Sequence, residues 1–322
     1  MFISKDKEQK EGLGLSRGLL YILLFLLMVI WGFNVSAIKI LVTYFPPVFI
    51  QGVRVFLAGL VVIVVLILSK RFERISRKNA LGIFVAALFG VFGHHLFLAL
   101  GLTLTTGSNT GLILGLVPLF TSIFAVIFLK ELLTFFKVIG ILSALSGVYF
   151  IILKGNGPVS GFSLGDLYIF GAVITQAISF IVIKKLTTNL DSRQMTGIML
   201  IFGALMMFGF SLWIEPVEIS QFQQPMYVWL VLLASAVFAT GLGHMLYNYA
   251  IQQLGAGSTA IFINLTPFFS LLGSALFLGE KIVLEQLIGF VLIVIGVILG
   301  TGMLEGSFRS LKRRNLSGSL EK

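Results

Sequence analysis

Long apolar stretches alternate with short polar breaks along almost the whole chain. A helix needs about 20 apolar residues to cross the hydrocarbon core of a bilayer. Ten stretches fit: 17–42, 47–69, 79–103, 107–129, 134–153, 163–186, 192–214, 226–251, 256–278 and 282–303. The breaks carry turn chemistry or charge, as at Phe45-Pro46-Pro47, Lys70-Arg71, Thr106-Gly107-Ser108, Gly155-Asn156-Gly157-Pro158 and Glu215-Pro216. The pattern predicts an all-α, polytopic membrane protein of ten transmembrane helices.

The pattern also occurs twice. The segment HLFLALGLTLTTGSNTGLILGLVPLFTSIFAVIFLKE runs from His95 to Glu131, and HMLYNYAIQQLGAGSTAIFINLTPFFSLLGSALFLGE from His244 to Glu280. One offset of 149 residues carries His95 onto His244, Pro118 onto Pro267, Glu131 onto Glu280, Gly140 onto Gly289 and Gly147 onto Gly296. Each half holds five spans. Five is odd, so the second half enters the membrane from the opposite side and the repeat is inverted, with a two-fold axis in the membrane plane. Two such halves supply two interchangeable conformations around one central site, the design of a transporter.

Charge sets the orientation. On one side of the predicted membrane lie Lys5, Lys7, Lys10, Arg17, Lys70, Arg71, Arg74, Arg77, Lys78, Lys130, Lys137, Lys184, Lys185, Arg193, Arg309, Lys312, Arg313, Arg314 and Lys322. The other side holds Lys154 and Lys281, while Lys39 and Arg54 fall within spans. The positive-inside rule therefore places both termini in the cytoplasm. The net charge of +10 thus reflects topology rather than nucleic-acid binding, and the tail Lys312-Arg313-Arg314 reads as an anchor near anionic lipid. Only 11% of residues are charged against 57% hydrophobic, which leaves no segment for a soluble domain. The apolar run from Gly18 continues through Trp31 with no small-residue cleavage site, so it reads as an uncleaved first span. With no cysteine, disulfides and thiolate metal sites are absent, and no cofactor or metal is expected.

Several short motifs carry a resemblance. The first span reads Trp31-Gly32-x-Asn34-x-x-Ala37-Ile38-Lys39, and the second carries Arg54-Val55-Phe56-Leu57-Ala58. The ninth ends Phe277-Leu278-Gly279-Glu280, followed by Gln286-Leu287-Ile288-Gly289 and Gly296-Val297. These residues resemble the drug/metabolite transporter superfamily, EamA type, over essentially the whole chain. The first copy departs with Lys130-Glu131 in place of Gly279-Glu280, and the sixth span keeps an echo of the first, Ile183-Lys184-Lys185-Leu186 against Ile38-Lys39-Ile40-Leu41. The resemblance implies a ten-span secondary transporter, often an exporter of amino acids or other small metabolites. It implies a cavity lined by spans one to four and six to nine, with five and ten as bracing. It divides the chain into a cytoplasmic segment 1–16, a first EamA-like five-helix repeat 17–153, an external linker 154–162, a second repeat 163–303 and a basic cytoplasmic tail 304–322.

The candidate substrate-binding residues are polar groups within spans. Trp31 lies deeper than the interfacial belt expected for tryptophan, and Gln176 could meet it near the midplane. Asn34, Asn248 and Asn264 join them, with interhelical hydrogen bonding as the competing explanation. His95 falls in the outer half of span three and His244 in the inner half of span eight, at mirrored depths. Histidine can bind solute or carry a proton at physiological pH, whereas His94 reads as a packing residue. Lys39 and Arg54 both fall toward the outer ends of their spans. Lys39 reads as snorkelling to the interface, and Arg54, being deeper, needs a partner or a task. Two cations facing an outer cavity would favour an anionic solute. With Tyr247, Asn248 and Tyr249 toward the inside, the two gates would differ chemically.

Pro118 and Pro267 stand at matched mid-span positions as kinks or hinges. Gly107, Gly111 and Gly115, with repeat mates Ala256, Ala260 and Asn264, allow close helix approach, whether static or sliding. No Asp or Glu falls in the middle of a span. That leaves facilitated exit or coupling through histidine rather than a carboxylate relay.

No Walker A sequence, HExxH, nucleophile elbow or paired carboxylates are present, so no enzyme is expected. The expected partners are a small-molecule substrate and the lipid bilayer, with no nucleic acid; a homodimer stays open. The sequence reads as an exporter of an amino acid or related carboxylate-bearing solute in a bacterial inner or plasma membrane. A broad exporter of drugs or amines is the alternative, and a non-transporting sensor or scaffold is an alternative of another class.

Overall fold

The computed structural model describes residues 16–69, 73–129, 133–154, 163–186, 190–254, 259 and 262–300. Lys130, Glu131, Ala256, Ala260, residues 155–162 of the linker 154–162 and the whole tail 304–322 lie outside these residues. The described helices are α1 (Arg17–Tyr44), α2 (Pro47–Leu68), α3 (Arg77–Leu104), α4 (Gly107–Phe128), α5 (Phe135–Lys154), α6 (Leu164–Leu186), α7 (Ser192–Ile214), α8 (Met226–Leu254), α9 (Thr266–Leu278) and α10 (Leu284–Gly300). Seven are long and apolar enough to cross a membrane; α9, α10 and the apolar part of α5, Phe135–Phe150, are shorter. Leu68, Leu212 and Trp213 stand 77%, 75% and 80% exposed, an apolar outer surface that suits lipid rather than water.

Polar side chains close the helix ends. Ser16, Ser76 and Thr106 each accept a hydrogen bond from a backbone amide three residues on, capping α1, α3 and α4. Glu215, just past α7, accepts from the amides of Val48 and Phe49, both at 2.9 Å, at the start of α2. Gly279 ends α9 with φ 67°, a left-handed conformation that glycine adopts without strain. The turn aims Glu280 at the start of α4, where it accepts from Gly107 N at 2.8 Å, Ser108 N at 2.9 Å and Ser108 Oγ at 2.6 Å.

These contacts sort the helix ends onto two faces of the bundle. One face gathers Glu215 with α2, Glu280 with α4, the Thr105 hydroxyl with Asp166 at 2.5 Å and the hydroxyls of Tyr44 and Tyr227. The opposite face gathers Gln194 with the backbone of Glu73, at 2.6 and 3.1 Å, and Ser192 with Gln252 at 3.1 Å.

Packing between helices obeys a two-fold exchange of the halves. Helix α1 lies against α9, as α6 lies against α4; α3 lies against α6, as α8 lies against α1. The pairs α2–α7, α4–α9 and α5–α10 join equivalent helices. Individual contacts repeat as well. A Cβ on Gly140 would lie 2.5 Å from Gly296 O, and one on Gly147 would lie 2.7 Å from Gly289 O. The offset of 149 exchanges these two contacts, and the crossed pairing shows that the equivalent helices run antiparallel. The Ser143 hydroxyl donates to Leu292 O at 2.9 Å, a pair that the same offset maps onto itself. In α2 and α7, Gly52 packs on Met207 and Phe208 while Gly197 packs on Val62 and Ile63. That relation holds at an offset of 145 and places Met199 where the first half has Arg54. The repeat is inverted, as its odd number of helices requires.

The regular ladder breaks at matched places. Residues Leu88–Gly93 of α3 and Ser235–Leu242 of α8 are π-helical. Helix α4 is interrupted at Gly115–Leu116, and a turn at Asn264–Leu265 precedes α9. Pro118 and Pro267 each occupy the second position of the helix that follows, where a missing N–H costs nothing. Gly107, Gly111 and Gly115 face Ser274, Ser270 and Pro267 across the α4–α9 contact.

Candidate functional site

Where the π-helical segments meet the middle of the bundle, a cavity of about 120 Å³ opens, room for roughly four waters. Its walls come from α1, α2, α3, α4, α6, α8, α9 and Ile263, just ahead of the turn before α9; the described residues of α5 and α10 contribute none of its lining. A narrow extension of about 20 Å³ shares His95, Gln176, Phe180 and His244 with the cavity and continues past Met199 to Thr196 and Asn248. There the Asn248 amide donates to Thr196 Oγ1 at 2.7 Å. A separate apolar groove between α1 and α8 opens sideways and shares Asn34 and Ala239 with the cavity.

Arg54 organises the cavity. It is 1% exposed, and four neutral groups take its N–H donors. Nε donates to Gln51 Oε1 at 2.5 Å, Nη1 to Thr240 Oγ1 at 2.6 Å and Ser235 Oγ at 3.2 Å, and Nη2 to His95 Nδ1 at 3.1 Å. Ser235 in turn donates to Asn34 Oδ1 at 2.5 Å. A buried guanidinium with hydrogen bonds but no counter-charge keeps an uncompensated positive field. Among the described residues no carboxylate lines the cavity. These bonds use four of the five guanidinium N–H groups, and among the described residues the second N–H of Nη2 has no partner.

The π-helical turns leave backbone carbonyls for side chains to use. The Trp31 indole donates to Ala239 O at 2.8 Å, and Thr240 Oγ1 donates back to Ser235 O at 3.0 Å. His244 Nδ1 lies 2.9 Å from Thr240 O, and His94 Nδ1 lies 3.0 Å from Ala172 O. In the other half the Ser179 hydroxyl donates to Ala86 O at 3.0 Å, the two-fold counterpart of the Asn34–Ser235 contact. The Trp31 ring packs against those of His244, at 5.2 Å, and Tyr247, at 5.1 Å. His95 Nε2 and Gln176 Oε1, from two residues that line the cavity extension, are buried with no hydrogen-bond partner among the described residues.

A family model described as the EamA-like transporter family matches residues 18–153 and again 163–301. The chain belongs to the EamA-like transporter family. It is 31% identical over 290 residues to the uncharacterized transporter YyaM of Bacillus subtilis, covering 88% of this chain and 94% of that one. An uncharacterized transporter of Archaeoglobus fulgidus is 26% identical, covering 86% and 96%. A solved crystal structure with a TM-score of 0.66 and 17% identity covers 87% of this chain and 96% of its own, which shares the fold. The protein is a multi-pass membrane transporter and not an enzyme.

Six of the residues singled out in the sequence of this EamA-like protein line the central cavity: Trp31, Asn34, Arg54, His95, Gln176 and His244. Asn248 lies in the narrow extension. Asn264 does not line either space; it forms the turn before α9 with its Oδ1 buried and unpartnered.

Two expectations are corrected. The cations do not share an outer cavity. Lys39 Nζ donates to the carbonyls of Leu102 and Thr105, at 2.5 and 2.9 Å, and closes the C-terminus of α3, whereas Arg54 enters the central cavity. Nor do His95 and His244 point to opposite faces, since their ring centroids lie 6.4 Å apart. Helical side chains tilt toward their own N-terminus. In two antiparallel helices, residues placed past the middle both lean back to it.

Gln51, Ser235, Thr240 and Thr196 join the site without standing out in the sequence, and His94, whose sequence position reads as packing, also lines the cavity. Gln51 stands three residues before Arg54 and Thr240 four before His244, helical spacings that bring side chains together. Nothing in the sequence marks Ser235. It reaches Arg54 across helices from the start of a π-helical segment.

Proposed function

We propose that this transporter moves a small carboxylate-bearing solute, an amino acid or related metabolite, out of the cell by alternating access. Ten spans set both termini in the cytoplasm of the cell membrane. One observation carries the choice of an anion. Arg54 is buried beside the cavity, bonded to neutral partners alone, with an N–H in reserve. A guanidinium recognises a carboxylate geometrically as well as by charge. The absence of an acidic side chain among the described cavity residues disfavours an amine or lipophilic cation. The π-helical turns in α3 and α8 and the breaks before Pro118 and Pro267 supply paired points at which the halves could bend.

Export is tested in cells stripped of their own exporters and loaded with amino acids, dipeptides, organic acids and amines. Efflux of carboxylates above that of their amides supports the proposal, and efflux of amines alone, or of nothing, refutes it. Cysteines placed singly at the two ends of the chain and labelled from outside test the orientation; labelling of either in intact cells refutes it.

A further inference from the structure

We infer that the anionic solute and a proton occupy the central cavity together, the anion on Arg54 and the proton on His95, so that both cross in the same direction. The inference rests on the anion-binding reading above.

A guanidinium has donors and no acceptor. Arg54 Nη2, 3.1 Å from His95 Nδ1, therefore makes that nitrogen the acceptor and leaves the proton of the neutral ring on Nε2. His95 is 3% exposed and Gln176 7% exposed, and neither His95 Nε2 nor Gln176 Oε1 has a partner. A donor and an acceptor thus stand open in one small space, where water or a ligand atom can bridge them. The groups facing His95 are Arg54 from α2, His94 from its own helix and His244 and Thr240 from α8. The Tyr247 ring packs against Trp31, 5.1 Å between centroids, and is not among the residues that line the cavity. The cavity side chains of α1 and α6, Trp31, Asn34, Gln176 and Phe180, carry no charge. With the cavity empty, a second proton on His95 would put two positive charges side by side in a buried site.

An anion changes that balance. As it takes the Nη2 donors of Arg54, His95 Nδ1 loses its hydrogen bond and its lone pair becomes free. A proton taken up from the bulk solution then bonds to Nδ1, and the imidazolium donates to the anion from the side opposite Arg54. One anion and one proton have entered, and the cavity carries a single net positive charge before and after. Neither the empty nor the loaded carrier buries extra charge. Proton and solute therefore help each other to bind, and the linkage is reciprocal. An embedded carboxylate works in the opposite sense, because there a proton and a cation compete for one site.

The test uses the full chain in detergent, with L-lactate, 4-methylpentanoate and 3-phenylpropanoate, each a monoanion at these pH values, as probes and their neutral amides as controls. Affinity is measured at pH 6, 7 and 8, and a pH dye in weak buffer reads proton uptake. One proton taken up per anion tightens the Kd by about tenfold for each unit of pH lowered. His95→Asn, whose carbonyl can still accept from Arg54, is expected to weaken binding and flatten the pH slope. His94→Gln and His244→Gln keep the slope whatever their affinity, and they identify the site should H95N fail to fold. A pH-independent wild-type affinity, or a slope that survives in H95N, overturns the inference alone. Failure of every probe to bind at any pH overturns the anion-binding reading and this inference with it.

Discussion

His95 and His244, equivalent residues in the two halves, face each other across the central cavity with ring centroids 6.4 Å apart. The pseudo-two-fold brings them together, and the side chains around them break it. His95 bonds Arg54, whereas the residue equivalent to Arg54 in the second half is Met199, beside the narrow extension. The backbone is nearly symmetric and the charge is not. The anion site proposed on Arg54 therefore lies on one side of the axis and has no counterpart on the other.

Removing the charge of Arg54 is expected to separate anionic from neutral solutes. In Arg54→Gln the hydrogen-bonding partners remain but the cation is lost. A charge-assisted hydrogen bond is worth about 1.5–3 kcal/mol, so carboxylate efflux should fall about 10- to 100-fold while that of the matching amides changes little. Equal losses for both would refute the electrostatic role.

The α4–α9 contact is expected to tolerate no extra carbon at its centre. A Cβ on Gly111 would lie 2.1 Å from Ser270 Cβ, whereas one on Gly209 meets nothing within 4 Å. Gly111→Ala should cost about 1–3 kcal/mol by overpacking and lower the unfolding temperature in detergent. Gly209→Ala should leave it unchanged or slightly raised. Equal behaviour of the two would mean that the helices are not packed this closely.

Glu280 ties the turn after α9 to the N-terminus of α4. Glu280→Gln keeps the shape but removes the negative charge that faces the first amides of the helix. A loss of about 0.5–2 kcal/mol is expected, read as a lower midpoint of thermal unfolding. An unchanged midpoint would show that the carboxylate is not held at the helix end.

Asp191 precedes α7 on the opposite face. Burial opposes its charge, but the hydrogen bonds and charge of Arg193 and the amide of Gln194 outweigh it and hold the carboxyl below its usual range. A depressed carboxyl contributes stability that is present above its unfolded value and lost as pH falls through its folded one. The wild type should therefore lose thermal stability relative to Asp191→Asn as the pH is lowered from about 5 to 3. Parallel curves for the two proteins would refute the coupling.

The apolar pattern alone determined the helical class, the placing of the helices and the repeat, because crossing a bilayer demands long uninterrupted apolar helices. An odd number of predicted spans per half called for an inverted repeat, and the crossed contacts of α5 and α10 agree with it. Polar residues within spans stood out for the same reason, which is why Trp31, Asn34, Arg54, His95, Gln176 and His244 were legible. The tertiary structure alone decided which of them meet. Sequence depth placed Lys39 beside Arg54, yet the carbonyls at the end of α3 hold Lys39 while Arg54 enters the cavity. Depth likewise separated His95 from His244, yet antiparallel helices tilt both side chains back to the middle. The π-helical turns and the partners that they present, Ser235 and Thr240, left no mark in the residue pattern. They depend on which side chains arrive from other helices to occupy the carbonyls, and that is a property of the packed bundle.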